Sequence, residues 1–107
     1  MPTFEDREKS EEARFAKNEE LRFKAEARRN RYLGQWAAGL MGLSGAAADA
    51  YAKDVVAADL AHPGHDDVFQ KVRDDLAAKK VDMSEHRIRR TMDELFEKAK
   101  TEILKEG

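Results

Sequence analysis

Three short stretches of this chain carry residue types that can do chemistry. His62, His65, Asp66 and Asp67 bring imidazoles and carboxylates together, the ligand types for a divalent metal. Their spacing runs across Pro63-Gly64, around a turn instead of along one helix face, and no Cys or Glu-x-x-His completes the set. The preferred reading is an exposed polar turn with no metal. Gly39-x-x-Gly42-x-x-Gly45 has the glycine density of a phosphate-binding loop, but no strand precedes it and no Lys-Ser/Thr follows. Helix-ending glycines account for it better, with nucleotide contact at this junction left open. Arg28-Arg29-Asn30-Arg31 has the charge to meet nucleic acid or an acidic protein surface. Basic patches that bind nucleic acid usually sit in basic domains, and this chain has a net charge of −2. Structural use is favoured, since Arg29 lies at the edge of an apolar stripe where its stem can pack while its head reaches water.

Catalysis finds little support. No Ser/His/Asp arrangement is suggested by context, and the many carboxylates lack the apolar setting that shifts a pKa for acid–base work. The absence of cysteine removes disulfides, thiolate metal sites and thiol nucleophiles, and suits a reducing cytoplasm. The chain therefore reads as a non-enzyme without a cofactor. Charged residues make up 39% of it with signs interspersed, which describes salt-bridged helical surfaces. No apolar run approaches the ~18 residues needed to span a bilayer. The stretch from Met1 to Asn18 is charged where a signal peptide would be apolar.

The elements that must hold these residues are helical, and 107 residues make one domain at most. Leu33, Trp36, Ala37, Leu40 and Met41 recur at helical spacing, and the stripe continues back through Arg29, Ala25 and Leu21. This places a long first helix over Glu20–Met41, with Gly42 just beyond its end. Ser44 is positioned to cap a second helix through Ala46–Ala61, whose stripe of Ala48, Tyr51, Ala52 and Val55 breaks at Asp59. Its alanines permit close approach to a neighbour. A third helix starts at Asp66 or Asp67, buries Val68, Phe69, Val72 and Leu76, and ends at Lys79-Lys80. Ser84 caps a fourth, with Ile88, Met92, Leu95, Phe96, Ala99 and Ile103 on one face. No segment reads as a strand. The fold class is all-α: a four-helix bundle with a long first helix and a flexible N-terminal arm.

The arm is the segment least able to fold alone. Thr3 can cap a helix start with Asp6 three residues on. Phe4 and Phe15 lie eleven residues apart, close to three helical turns, so both rings fall on one stripe. Between them only Ala13 is apolar. Two readings follow: a frayed terminus, or a segment that becomes helical on a partner with the two phenylalanines as anchors.

The run FKAEARRNRYLGQWAAGLMG, preceded by TFEDREKSEEARFAKNEELR, resembles the zeta-subunit family of alphaproteobacterial ATPase inhibitors. AYAKDVVAADL, DVFQKVRDDL and SEHRIRRTMDELFEKA resemble later parts of the family in order, so the likeness covers nearly the whole chain. The resemblance implies a four-helix bundle over 19–107 and a mobile inhibitory arm over 1–18. It also implies a regulatory protein that inhibits ATP hydrolysis by the F1 sector of the ATP synthase. In that picture the arm inserts as a helix at a catalytic alpha/beta interface, reaches towards the gamma subunit and blocks rotation. The implied arm residues are Thr3, Phe4, Asp6, Arg7, Glu8, Lys9, Glu12, Ala13, Arg14, Phe15 and Ala16. The implied setting is cytoplasmic, peripheral to the inner membrane through the synthase, with a protein that is monomeric when free. Lys17-Asn18 stands where family members carry His-Asp, so a histidine pH switch at that place is absent. Two alternatives come from other classes: a helical domain that binds a nucleotide, and an assembly subunit of the synthase that does not inhibit.

Overall fold

A computed structural model describes residues 13–61 and 65–106 of the chain. Residues 13–17 are helical, and after a break at Asn18 come α1 (Glu19–Leu40), α2 (Gly45–Ala61), α3 (His65–Ala78) and α4 (Glu85–Glu106). No strand occurs among the described residues.

The helix ends follow local chemistry. The Asn18 side chain accepts from the Leu21 amide at 3.2 Å and caps α1. The Ser84 hydroxyl accepts from the Arg87 amide at 3.1 Å and caps α4. Ser44 immediately precedes α2, and its carbonyl accepts from the Ala48 amide. At the end of α1, Gly42 takes a φ of 79°; its amide donates to Gly39 while the Leu43 amide reaches back to Ala38. This closes the orphan carbonyls in the way a left-handed residue allows. The end of α3 repeats the pattern without glycine. Lys80 has a φ of 59°, the Lys80 amide donates to Ala77, and the Val81 amide donates to Leu76. A side chain at that φ carries a steric cost of about 1–2 kcal/mol. Lys80→Gly is therefore expected to stabilise the protein by about 0.5–1 kcal/mol after the entropy of the added glycine is counted. Urea denaturation measures this, and a lower midpoint would mean that the lysine side chain itself holds the turn.

Polar contacts give the topology. Asn30 meets Asp59, and Gly34 meets Ala52 and Val55, so α1 and α2 are antiparallel. Tyr51 donates to Asp75 at 2.8 Å between α2 and α3. Asp66 pairs with Arg89 and Arg73 with Glu85 between α3 and α4. Arg28 pairs with Glu106, and Tyr32 donates to Glu102 at 2.6 Å, between α1 and α4. The bundle thus runs up, down, up, down, with α1 packed chiefly on α2 and α4.

Two apolar clusters form. The larger joins Leu33 and Ala37 of α1, Val55 of α2, the Val68, Phe69, Val72 and Leu76 face of α3, and Ile88 and Met92 of α4. Trp36, Met41, Tyr51 and Leu95 are partly buried against it. The expected stripe on α1 is shifted at its end: Leu40 is exposed, whereas Gly34 and Ala38 are buried. The shift follows from α1 having neighbours on two sides, so its buried arc turns towards α2 through its small residues. The second cluster sits at the other end of the bundle and contains Phe15, Ala25 and Ile103, with Leu21, Phe96 and Leu104 around them.

Candidate partner-binding site

Of the residues implied as the arm, Thr3, Phe4, Asp6, Arg7, Glu8, Lys9 and Glu12 lie outside the described residues. Ala13, Arg14, Phe15 and Ala16 belong to the short helix before Asn18. Asn18 takes an extended conformation, φ −106° and ψ 102°, so this helix does not continue into α1. The Asn18 amide closes the short helix by donating to the Phe15 carbonyl at 3.2 Å, and the Asn18 carbonyl opens α1 by accepting from Arg22 at 3.1 Å. One residue thus ends one helix and starts the next, a consequence of asparagine's preference for the cap over the helix interior.

Ala13, Arg14, Ala16 and Lys17 are exposed, and Phe15 is only 6% exposed. Its ring meets Phe96 edge to face, with centroids 6.0 Å apart and planes at 68°. The Lys100 ammonium stands 5.5 Å from the Phe15 centroid. The Arg29 guanidinium lies 5.9 Å from the Phe96 centroid. Phe15 is therefore seated on α1 and α4 of its own bundle.

The arginine run is bound internally. Arg28 grips Glu106 through two bonds of 2.7 and 3.0 Å and reaches Glu102 at 3.5 Å. The bond to Glu106 raises the Arg28 pKa and lowers that of Glu106. Arg29 is partly buried, and burial lowers its pKa against the pull of Asp59, Glu26 and Asp93. Its Nε donates to Asn30 Oδ1 at 3.1 Å, and the fully buried Asn30 donates through Nδ2 to Asp59 at 3.1 Å. The break in the α2 stripe at Asp59 is thus the acceptor for a buried asparagine. Arg31 stacks over Tyr32, 5.6 Å from its centroid. These contacts agree with structural use of the run.

Gly42 ends a helix, as described. His62 lies outside the described residues, and Asp66 is engaged by Arg89 at 3.4 Å. Among the described residues no group of three His, Cys, Asp or Glu side chains is gathered to hold a metal.

One feature is not predicted by the apolar stripe. Phe23 is 56% exposed and borders an open groove of about 400 Å3 lined also by Ala27, Val56 and Ile103 and by the charged Lys24, Arg28, Arg31 and Glu106. The signal was available: Phe23 falls off the Leu21, Ala25 and Arg29 stripe on an otherwise charged helix. Among the described residues no helix is long and apolar enough to cross a membrane.

The family described as ATPase inhibitor subunit zeta matches residues 1–102. A protein chain whose structure was solved by solution NMR is 42% identical. That alignment covers 81% of this chain and 99% of the solved one, with a TM-score of 0.69. No curated protein matches the chain. Because the family match runs through both the segment before Asn18 and nearly all of the bundle behind it, the chain belongs to the ATPase inhibitor subunit zeta family.

Proposed function

We propose that this protein inhibits ATP hydrolysis by the F1 sector of the ATP synthase, using residues 1–18 as a mobile inhibitory arm and 19–107 as the body that carries it. The arm enters a catalytic alpha/beta interface, becomes helical there, reaches the gamma subunit and blocks rotation. The observation that carries this reading is the match of residues 1–102 to the ATPase inhibitor subunit zeta family, which spans the proposed arm together with nearly all of the body. The break at Asn18 supports the boundary, since α1 has its own cap there.

Physically, the arm loses conformational entropy on binding and recovers free energy through Phe4 and Phe15 in apolar pockets. Arg7, Lys9 and Arg14 add contacts to acidic groups of the partner. Thr3, Asp6, Glu8, Glu12, Ala13 and Ala16 complete the helix that the interface accepts. The protein acts in the cytoplasm, at the inner membrane only through the synthase, and needs neither cofactor nor metal.

The test is ATP hydrolysis by F1-ATPase with the full-length protein and with a form lacking residues 1–18. Full-length protein is expected to inhibit, and the truncated form to lose at least a hundredfold in potency, since both anchors go and interface aromatics commonly contribute 2 kcal/mol or more each. Equal inhibition by both forms would move the activity to the bundle. Inhibition by neither would favour an assembly subunit, or a nucleotide-binding domain if nucleotide titration shifted bundle resonances.

A further inference from the structure

Phe15 is a proposed contact with the partner, yet in the free chain its ring is already occupied. We propose that Phe15 is an internal latch: its seat on α1 and α4 holds residues 13–17 against the bundle, and the latch must open before Phe15 engages F1. The inference rests on the reading of Phe15 as a partner contact.

Among the described residues of the segment, Phe15 alone is buried; Ala13, Arg14, Ala16 and Lys17 are exposed. Among the described residues 13–17, the contact with the bundle is therefore carried by one side chain, packed in a cluster with Leu21, Ala25, Phe96, Ile103 and Leu104. One ring cannot fill this cleft and a partner pocket together, so the two compete.

The hinge is built for opening. Asn18 is the single non-helical residue between the short helix and α1. Its side chain caps α1 through Leu21, and its carbonyl accepts from Arg22, so both bonds lie on the α1 side of the hinge. Swinging residues 13–17 away leaves them intact, and only the Asn18 amide bond to Phe15 belongs to the closed helix. Burial of one phenyl ring, taken at the low end of its range and with the short helix kept in both states, favours the closed state by on the order of tenfold. A competent state populated at that fraction weakens apparent affinity by the same factor, on the order of tenfold.

The test trims the cleft and leaves the arm sequence untouched. Phe96→Ala and Leu104→Ala, both in the full-length chain, are assayed against F1-ATPase. Wild-type protein labelled with 4-fluorophenylalanine at position 15 is followed by fluorine NMR, with the core ring of Phe69 labelled in the same way as reference. The latch predicts that Phe96→Ala inhibits at on the order of tenfold lower concentration, with a smaller gain for Leu104→Ala. It also predicts that F1-ATPase shifts the Phe15 resonance but not that of Phe69. Unchanged or weaker inhibition by both folded variants would overturn it. So would inhibition by the wild-type chain with the Phe15 resonance unmoved, which would leave the inhibitor reading standing. If the wild-type chain does not inhibit at all, the inhibitor reading falls, and the latch is decided by whether the Phe15 resonance moves on adding F1-ATPase. The same wild-type resonance decides the case if a trimmed variant fails to fold.

Discussion

Gly34→Ala is expected to destabilise the bundle by about 2 kcal/mol, while Gly39→Ala, on the same helix, is expected to stabilise it by about 1 kcal/mol. A Cβ on Gly34 would stand 2.6 Å from the Ala52 Cα, 3.2 Å from its Cβ and 3.3 Å from Val55 Cγ2. The first of these is backbone, so no side-chain rotation relieves the clash and α1 and α2 must move apart. Overpacking of this kind costs about 1–3 kcal/mol, and a backbone contact belongs at the upper end. Alanine's better helix propensity returns about 1 kcal/mol. Around Gly39 nothing lies within 4 Å, so only the propensity gain remains. For a chain of this size the Gly34 change corresponds to a fall in Tm of roughly 8–15 °C. Thermal melts followed by circular dichroism would measure both variants, and shifts of the same sign would mean that the two helices do not cross where the structure puts them.

The second large effect is expected at Asn30, which is fully buried and bonded on both sides, to Arg29 and to Asp59. Asn30→Leu keeps the volume close and removes both bonds. Asp59 and Arg29 then lose their polar partner in a site where each is partly withdrawn from water. Leaving charged groups unpaired in such a place costs about 2–4 kcal/mol. The asymmetry of hydrogen-bond energetics gives a sharper form of the prediction. Asp59→Ala alone leaves the Asn30 amide unsatisfied, but in the Asn30→Leu background it removes an orphaned carboxylate. The double variant should therefore be more stable than the sum of the single costs predicts, by about 1–2 kcal/mol. Urea titrations of the four proteins give this coupling, and strict additivity would show that the Asn30–Asp59 bond contributes nothing.

These two sites explain why the run Arg28-Arg29-Asn30-Arg31 followed by Leu33-Gly34 is so specific in type. Arg28 ties α1 to the end of α4, Asn30 and Gly34 tie it to α2, and Leu33 enters the main core. The stretch that looked most able to bind something outside the chain is largely spent on holding the helices together. The exposed Phe23 beside it, like Leu40 near the end of the helix, is apolar surface of α1 that is not so used.

What the sequence determined by itself is what depends on near neighbours along the chain. Apolar spacing near 3.6 residues marks each helix, and serine or asparagine before it and glycine after it mark the ends, because capping and periodicity act within a turn or two. On those grounds the all-α bundle, its helix order, the cap at Ser84 and most of the buried faces were legible. The arm's poverty in apolar residues was equally plain. The tertiary structure alone decided what faces what across the bundle. That Asn30 would be buried could not be read from its polarity, since its acceptor is Asp59 on another helix. The intolerance of Gly34 comes from Ala52, and hydropathy carries no record of interhelical distance. Phe15 looked free to serve a partner because its neighbours in sequence are polar or small, yet much of its cleft is supplied by Phe96, Ile103 and Leu104 at the far end of the chain. Burial of a side chain is set by the surfaces that converge on it in space, and those surfaces exist only once the helices have packed.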